Sequence, residues 1–142
     1  MKVEVLAAAA LALFMTACTR PAAPVDMSRA ATLVGQCMAS EQHVLEWAGL
    51  AQSDRITAEA ASKIGLAASV CVDAGRAIRG TELEPPCGAV TAWLAGANGA
   101  LATYADKRPP GDFAPNLPPR PTSDQVTACG NAVSPFSSKS NP

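Results

Sequence analysis

The side chains in this chain with the types to do chemistry are five cysteines, Cys18, Cys37, Cys71, Cys87 and Cys129, and a single histidine, His43. Thiols can attack a carbonyl, hold a metal or pair as disulfides, and spacing separates these uses. A zinc framework calls for closely spaced ligands. No Cys-x-x-Cys occurs here, and the last four cysteines spread over 93 residues. A Cys-His nucleophile needs a free thiolate beside His43. On a helix Glu46, three residues on, would reach His43, and Glu41 lies two before it. With the thiols committed to bridges, His43 reads as a surface or boundary residue. Glu82 and Glu84 flank a turn beside Pro85 and Pro86. A working carboxylate pair needs a cleft that raises one partner's pKa, so these read as solvated. No Gly-x-Ser-x-Gly elbow, His-Glu-x-x-His helix or phosphate-binding glycine loop is present. The expectation is a non-enzyme with no catalytic residues, metal or cofactor.

The N-terminal run fixes how the cysteines are counted. Lys2 precedes an uncharged, mostly apolar stretch of 13 residues, Val5 to Ala17. As a helix it would cover only about 20 Å against a hydrocarbon core of about 30 Å, which marks a signal peptide and not a lasting span. The stretch ends in Met15-Thr16-Ala17-Cys18, which resembles the lipobox of bacterial membrane lipoproteins. That resemblance covers about the first 20 residues. It implies cleavage before Cys18, a diacylglyceryl group on its thiol and acylation of its amine, in which palmitate is the expected chain type. Thr19 in place of an aspartate implies sorting to the outer membrane, facing the periplasm. Removal of residues 1–17 leaves 125, one small domain. Lys2 and Glu4 leave together, so 10 basic side chains stand against 11 acidic ones. A near-neutral chain offers no footprint for nucleic acid and no case for anionic lipid headgroups either.

With Cys18 lipidated, four cysteines remain in an oxidising compartment, which predicts two disulfides. Helical periodicity then orders them. Ser28 to about Gln52 reads as one helix, capped by Ser28, with Leu33, Val34, Cys37, Val44, Leu45, Trp47, Ala48 and Ala51 on the apolar side. Thr57 to Arg79 reads as a second, in which Ala60, Ile64, Ala67, Cys71, Ala74 and Ile78 form a seam and Gly80 suits the C′ position. Cys87 to about Asp106 reads as a third, with the seam Cys87, Val90, Leu94, Ala97, Leu101 and Tyr104. Gln52 to Arg55 is the turn between the first two, so those helices run antiparallel and facing residue numbers sum to about 108. Cys37 and Cys71 satisfy that sum, which leaves Cys87 to pair with Cys129. The alanines and Gly75 would allow the close approach that the first pair needs.

From Lys107 onward eight of 36 residues are proline. This tail is expected to run as extended or irregular backbone over the surface, with one short helix after the capping-box spacing Thr122 to Gln125, carrying Val126 and Cys129. Disorder is expected over Ser134 to Pro142. Trp47 and Trp93 read as core residues. Gly96 and Gly99 inside the third helix read as the site of a close helix crossing, since each weakens a helix by about 1 kcal/mol.

These readings make an all-α fold: a small three-helix antiparallel bundle with a short fourth helix in a proline-rich tail, stapled by two disulfides. The divisions are a signal peptide at 1–17, a lipidated N-terminus and flexible tether at 18–27, the bundle at 28–106 and the tail, tied back through Cys129, at 107–142. The function expected is a non-enzymatic, lipid-anchored envelope component that binds or scaffolds another envelope protein. The alternatives are a small periplasmic inhibitor or exclusion-type lipoprotein acting on an envelope enzyme or mobile-element machinery, and an enzyme or small-molecule binder.

Overall fold

The computed structural model describes residues 23–52, 56–107 and 117–137. The signal peptide, the lipobox with Cys18, the turn residues 53–55 and the last five residues of the expected disordered end, 138–142, lie outside them. The described residues fold into five helices and carry no strand: α1 (Met27–Ala39), α2 (Glu41–Gln52), α3 (Ala58–Ala77), α4 (Glu84–Lys107) and α5 (Ser123–Ser137).

The helix expected over 28–52 is two. Asp26, not Ser28, caps α1: its carboxylate accepts the Arg29 N–H at 3.1 Å. The break falls at Ser40, whose hydroxyl donates to the Cys37 carbonyl at 2.7 Å while its own N–H turns back to the Cys37 and Met38 carbonyls. Serine competes for backbone groups in this way, and tertiary contacts described below hold it there. α2 restarts one residue later, with the Val44 N–H donating to the Ser40 carbonyl. One consequence is that Leu45, expected on the apolar side, is 53% exposed, whereas Val44 and Trp47 are buried.

α3 starts where its cap predicts, with the Thr57 hydroxyl accepting the Ala60 N–H at 3.1 Å. It ends at Ala77 with Ile78 as C-cap. Gly80 takes the left-handed conformation (φ 74°), one residue beyond the position expected, and reverses the chain toward α4. The reversal is closed by side chains. The Thr81 hydroxyl donates to the Ile78 carbonyl at 2.6 Å and accepts the Leu83 N–H, and the Glu84 carboxylate accepts the Gly80 N–H at 2.6 Å. Pro85 and Pro86 sit in the first turn of α4, where their missing N–H groups cost no helical bond.

The seams of α3 and α4 meet. Ile64, Cys71, Ala74 and Ile78 from one side and Cys87, Val90, Leu94, Ala97, Leu101 and Tyr104 from the other are all buried. Gly75 contributes here and not at the α1–α3 approach: a Cβ on it would stand 3.7 Å from the Thr91 hydroxyl of α4. α1 lies against α3 through the Cys37–Cys71 bond, with Cα atoms 4.8 Å apart. α5 packs on α1 and α4 and is joined to α4 by Cys87–Cys129, Cα to Cα 4.7 Å. It opens on a reciprocal capping box. The Gln125 amide oxygen accepts the Thr122 N–H at 2.9 Å, and the Thr122 hydroxyl accepts the Gln125 N–H at 3.3 Å. α5 is longer than the tail reading allowed, since Ser134 to Ser137 are helical despite Pro135. Burial of Val133 and partial burial of Phe136 against the core offset the hydrogen bond that Pro135 cannot donate.

Replacing Cys37 and Cys71 together by alanine should lower unfolding free energy by up to about 4 kcal/mol, the chain-entropy value for a loop of this length. Urea unfolding of the variant against the parent, both without reductant, measures it. An unchanged midpoint would show that the helices hold their spacing without the bond.

Candidate functional site

His43 lies on α2 and is exposed. Its ring stacks on the buried Trp47 indole, centroids 5.2 Å apart and 22° from parallel. Its Nδ1 is 3.5 Å from a Glu46 carboxylate oxygen, the i,i+3 meeting that the spacing predicts. Gln36, Ser40, His43, Glu46 and Trp47 face Lys63 of α3 across an open depression of about 510 Å³. The cysteines nearest in the fold, Cys37 and Cys71, are bonded to each other, so His43 has no thiolate to activate there. The depression offers an imidazole, a carboxylate and an ammonium group on an open surface. Such a group can contact a partner, but nothing encloses a reacting atom.

The other candidates have structural duties. Glu84 closes the α3–α4 reversal through Gly80, and Glu82 is exposed beside it. Lys63 Nζ lies 2.8 Å from Glu59 at the start of α3. Hydrogen bonding and the charge of Lys63 hold the Glu59 carboxyl below the ordinary carboxylate value, and Glu59 raises Lys63 in return. Both are fully exposed, so this is a helix-surface pair. Among the described residues no three of His, Cys, Asp and Glu are arranged to hold a metal ion.

Two polar arrangements escaped the sequence reading. The first is buried. Asn98 of α4 donates through Nδ2 to the Ser40 hydroxyl at 3.1 Å and to the Leu94 carbonyl at 2.9 Å. This ties the break between α1 and α2 to the middle of α4. Asn98 Oδ1 has no partner among the described residues and is fully buried. The available signal was a lone amide next to the seam residue Ala97, in a helix where an alanine would be more stable.

The second is a strap. Residues 117–122 carry no regular secondary structure. The Trp93 indole N–H donates to the Pro118 carbonyl at 2.9 Å. A Cβ on Gly96 would stand 3.4 Å from Pro118 Cγ, whereas one on Gly99 would meet nothing within 4 Å. The two glycines therefore do not mark a helix crossing: Gly96 makes room for a proline ring, and the structure gives no contact that requires Gly99. The Arg120 guanidinium then grips one Glu41 carboxylate oxygen through Nη2 at 2.6 Å and Nε at 3.2 Å. Trp93 and Trp47 are both buried, as their helical positions predict.

No known protein family, curated protein or solved structure matches the chain. No helix among the described residues is long and apolar enough to cross a membrane.

Trp93→Phe keeps the buried ring and removes the N–H, at a cost of about 1 kcal/mol. Amide hydrogen exchange at Leu117, Arg120 and Thr122, the strap residues that carry an N–H, should accelerate selectively, and equal acceleration throughout α4 would contradict a local clasp. Gly99→Ala should raise stability by up to about 1 kcal/mol, read as a higher melting temperature.

Proposed function

We propose that this chain is a lipid-anchored protein of the bacterial cell envelope, held through acylated Cys18 and probing the periplasm with a small, non-enzymatic helical domain. The supporting observation is the cysteine count. The chain has five, Cys37 pairs with Cys71 and Cys87 with Cys129, and Cys18 is the one left over, placed directly after a short apolar run and a lipobox-like tetrapeptide. An odd cysteine in an exported, disulfide-bonded domain calls for a separate use. Two or three acyl chains are the use that gives firm attachment.

On this reading the domain is a three-helix antiparallel bundle, its first helix broken at Ser40. The fourth helix is carried by the tail and stapled to the bundle. Facing residues support the antiparallel register: Arg29 and Leu33 border a groove with Asp73 and Ala77, and His43 and Trp47 border one with Lys63 and Ala67. The role proposed is to bind or scaffold another envelope protein, and the outer membrane is the expected site. Exposed Leu45 and Leu66 on separate helices, together with the open His43 depression, offer contact chemistry without an enclosed reaction centre.

Intact mass of the membrane-extracted protein, taken with and without reductant, tests the anchor and the bridges in one sample. The expected mass is that of residues 18–142 plus diacylglyceryl and an amide-linked acyl chain, rising on reduction by the hydrogens of two bridges. An unprocessed chain starting at Met1, with every thiol free, would sink the reading.

A further inference from the structure

We propose that the end of the domain bearing the N-terminal tether is a docking surface for the phosphates of an anionic bilayer, gripped by Arg29, Arg76 and Arg79. The proposal rests on the anchoring reading above, since only an anchor at Cys18 holds this end close to a membrane.

The chain is near neutral overall, but its arginines are not evenly placed. Pro24, Val25, Asp26 and Arg29, from the tether and first turn of α1, form a groove of about 640 Å³ with Asp73 and Arg76 from the end of α3 and Arg79 from the turn after it. Arg76, in the last turn of α3, is accounted for by the negative end of that helix dipole. Arg29 is not. It sits in the first turn of α1, where the dipole disfavours a cation, and it is exposed. Among the described residues Arg29 and Arg79 form no ion pair, and Arg76 reaches Asp73 only at 3.6 Å.

Two carboxylates line the same groove and keep their charge: Asp26 accepts the Arg29 N–H as cap and Asp73 lies 3.6 Å from Arg76, so three guanidinium groups stand against two carboxylates there. Two unpaired guanidinium groups and a third weakly paired one therefore border the same groove. Their planar forks suit phosphate oxygens. Val25, 52% exposed beside them, adds an apolar side chain at the level of the headgroups.

Chain length sets the distance. Six residue steps separate Cys18 from Pro24, at most about 20 Å fully extended, so the groove is always within reach of the surface that holds the anchor. Each basic side chain near an anionic surface strengthens attachment by roughly fivefold. Three would bias the domain toward lying tether-end down without anchoring it alone.

The test uses the full membrane-extracted protein in vesicles of phosphatidylcholine alone or mixed with phosphatidylglycerol. Hydrogen exchange over residues 25–30 and 76–82 should slow in the anionic vesicles at low salt and recover at high salt. Arg29→Gln/Arg79→Gln should abolish the difference, while Lys63→Gln, beside the His43 depression, should retain it. Equal exchange in the two vesicle types would overturn the proposal, as would protection centred on Lys63. The same slowing caused by inorganic phosphate without vesicles would also overturn it, by reassigning the groove to a free anion. Intact mass on the same sample separates the two failures. Acylated protein with equal exchange in the two vesicle types overturns the headgroup contact alone, whereas protein that carries no acyl chain overturns the anchoring reading and this proposal with it.

Discussion

The Cys37–Cys71 bond sets the geometry on which the rest of the domain depends. Helix axes ordinarily stand about 8–10 Å apart. A disulfide between helices demands a closer local approach, and the two Cα atoms here are 4.8 Å apart. Small side chains stand near the bond: Ser40 Oγ is 3.9 Å from the Cys71 sulfur, Ala74 is buried one turn along α3, and Ala30 and Ala31 are buried further along α1. Small residues bury little apolar area, so the core cannot rely on hydrophobic transfer alone. The bulk is supplied further out, by Trp47, Trp93, Leu83, Leu94 and Leu101. Bridge, alanines and indoles are thus one solution to one constraint.

The same constraint explains the polar core. Ser40 lies 3.9 Å from the Cys71 sulfur, at the point where α1 gives way to α2. A broken helix exposes carbonyls that need donors, and the Ser40 hydroxyl supplies one for Cys37. Asn98 then fixes that hydroxyl from α4. Burying an amide is costly unless it is bonded, and half of this one is unpartnered. The network therefore acts to specify where α1 ends and how α4 meets it, more than to add stability.

Much of this was legible in the residues. The seams of α3 and α4 repeat at helical steps, and their residues are buried except Ala60 and Ala67, which are half-buried. The sum rule for a hairpin located the first cysteine pair because Cys37 lies on the apolar side of α1 and Cys71 on the seam of α3, and the second pair followed by elimination. The capping box at Thr122 was legible because its two bonds are local. What could not be read depends on contacts distant in sequence. Ser40 breaks a helix only because Asn98 and the disulfide hold it, and local propensity does not encode them. Gly96 faces a proline 22 positions away, so its partner was assigned to a helix instead of a strap. The end of α5 outran the expectation because Val133 and Phe136 find the core, which overrides Pro135. The His43–Glu46 contact and the place of His43 at the surface were both readable, the first from the i,i+3 spacing.

The order of the bridges along the chain has a further consequence. Cys37 finds Cys71 and Cys87 finds Cys129, so the two covalent loops follow one another and neither encloses the other. In a polypeptide oxidised as it emerges from a translocation channel, each cysteine of this domain meets its proper mate as the next one to arrive. Oxidation in order of emergence then gives the native connectivity directly. On the proposed export route this connectivity would need an oxidant but no catalyst that reshuffles mispaired thiols.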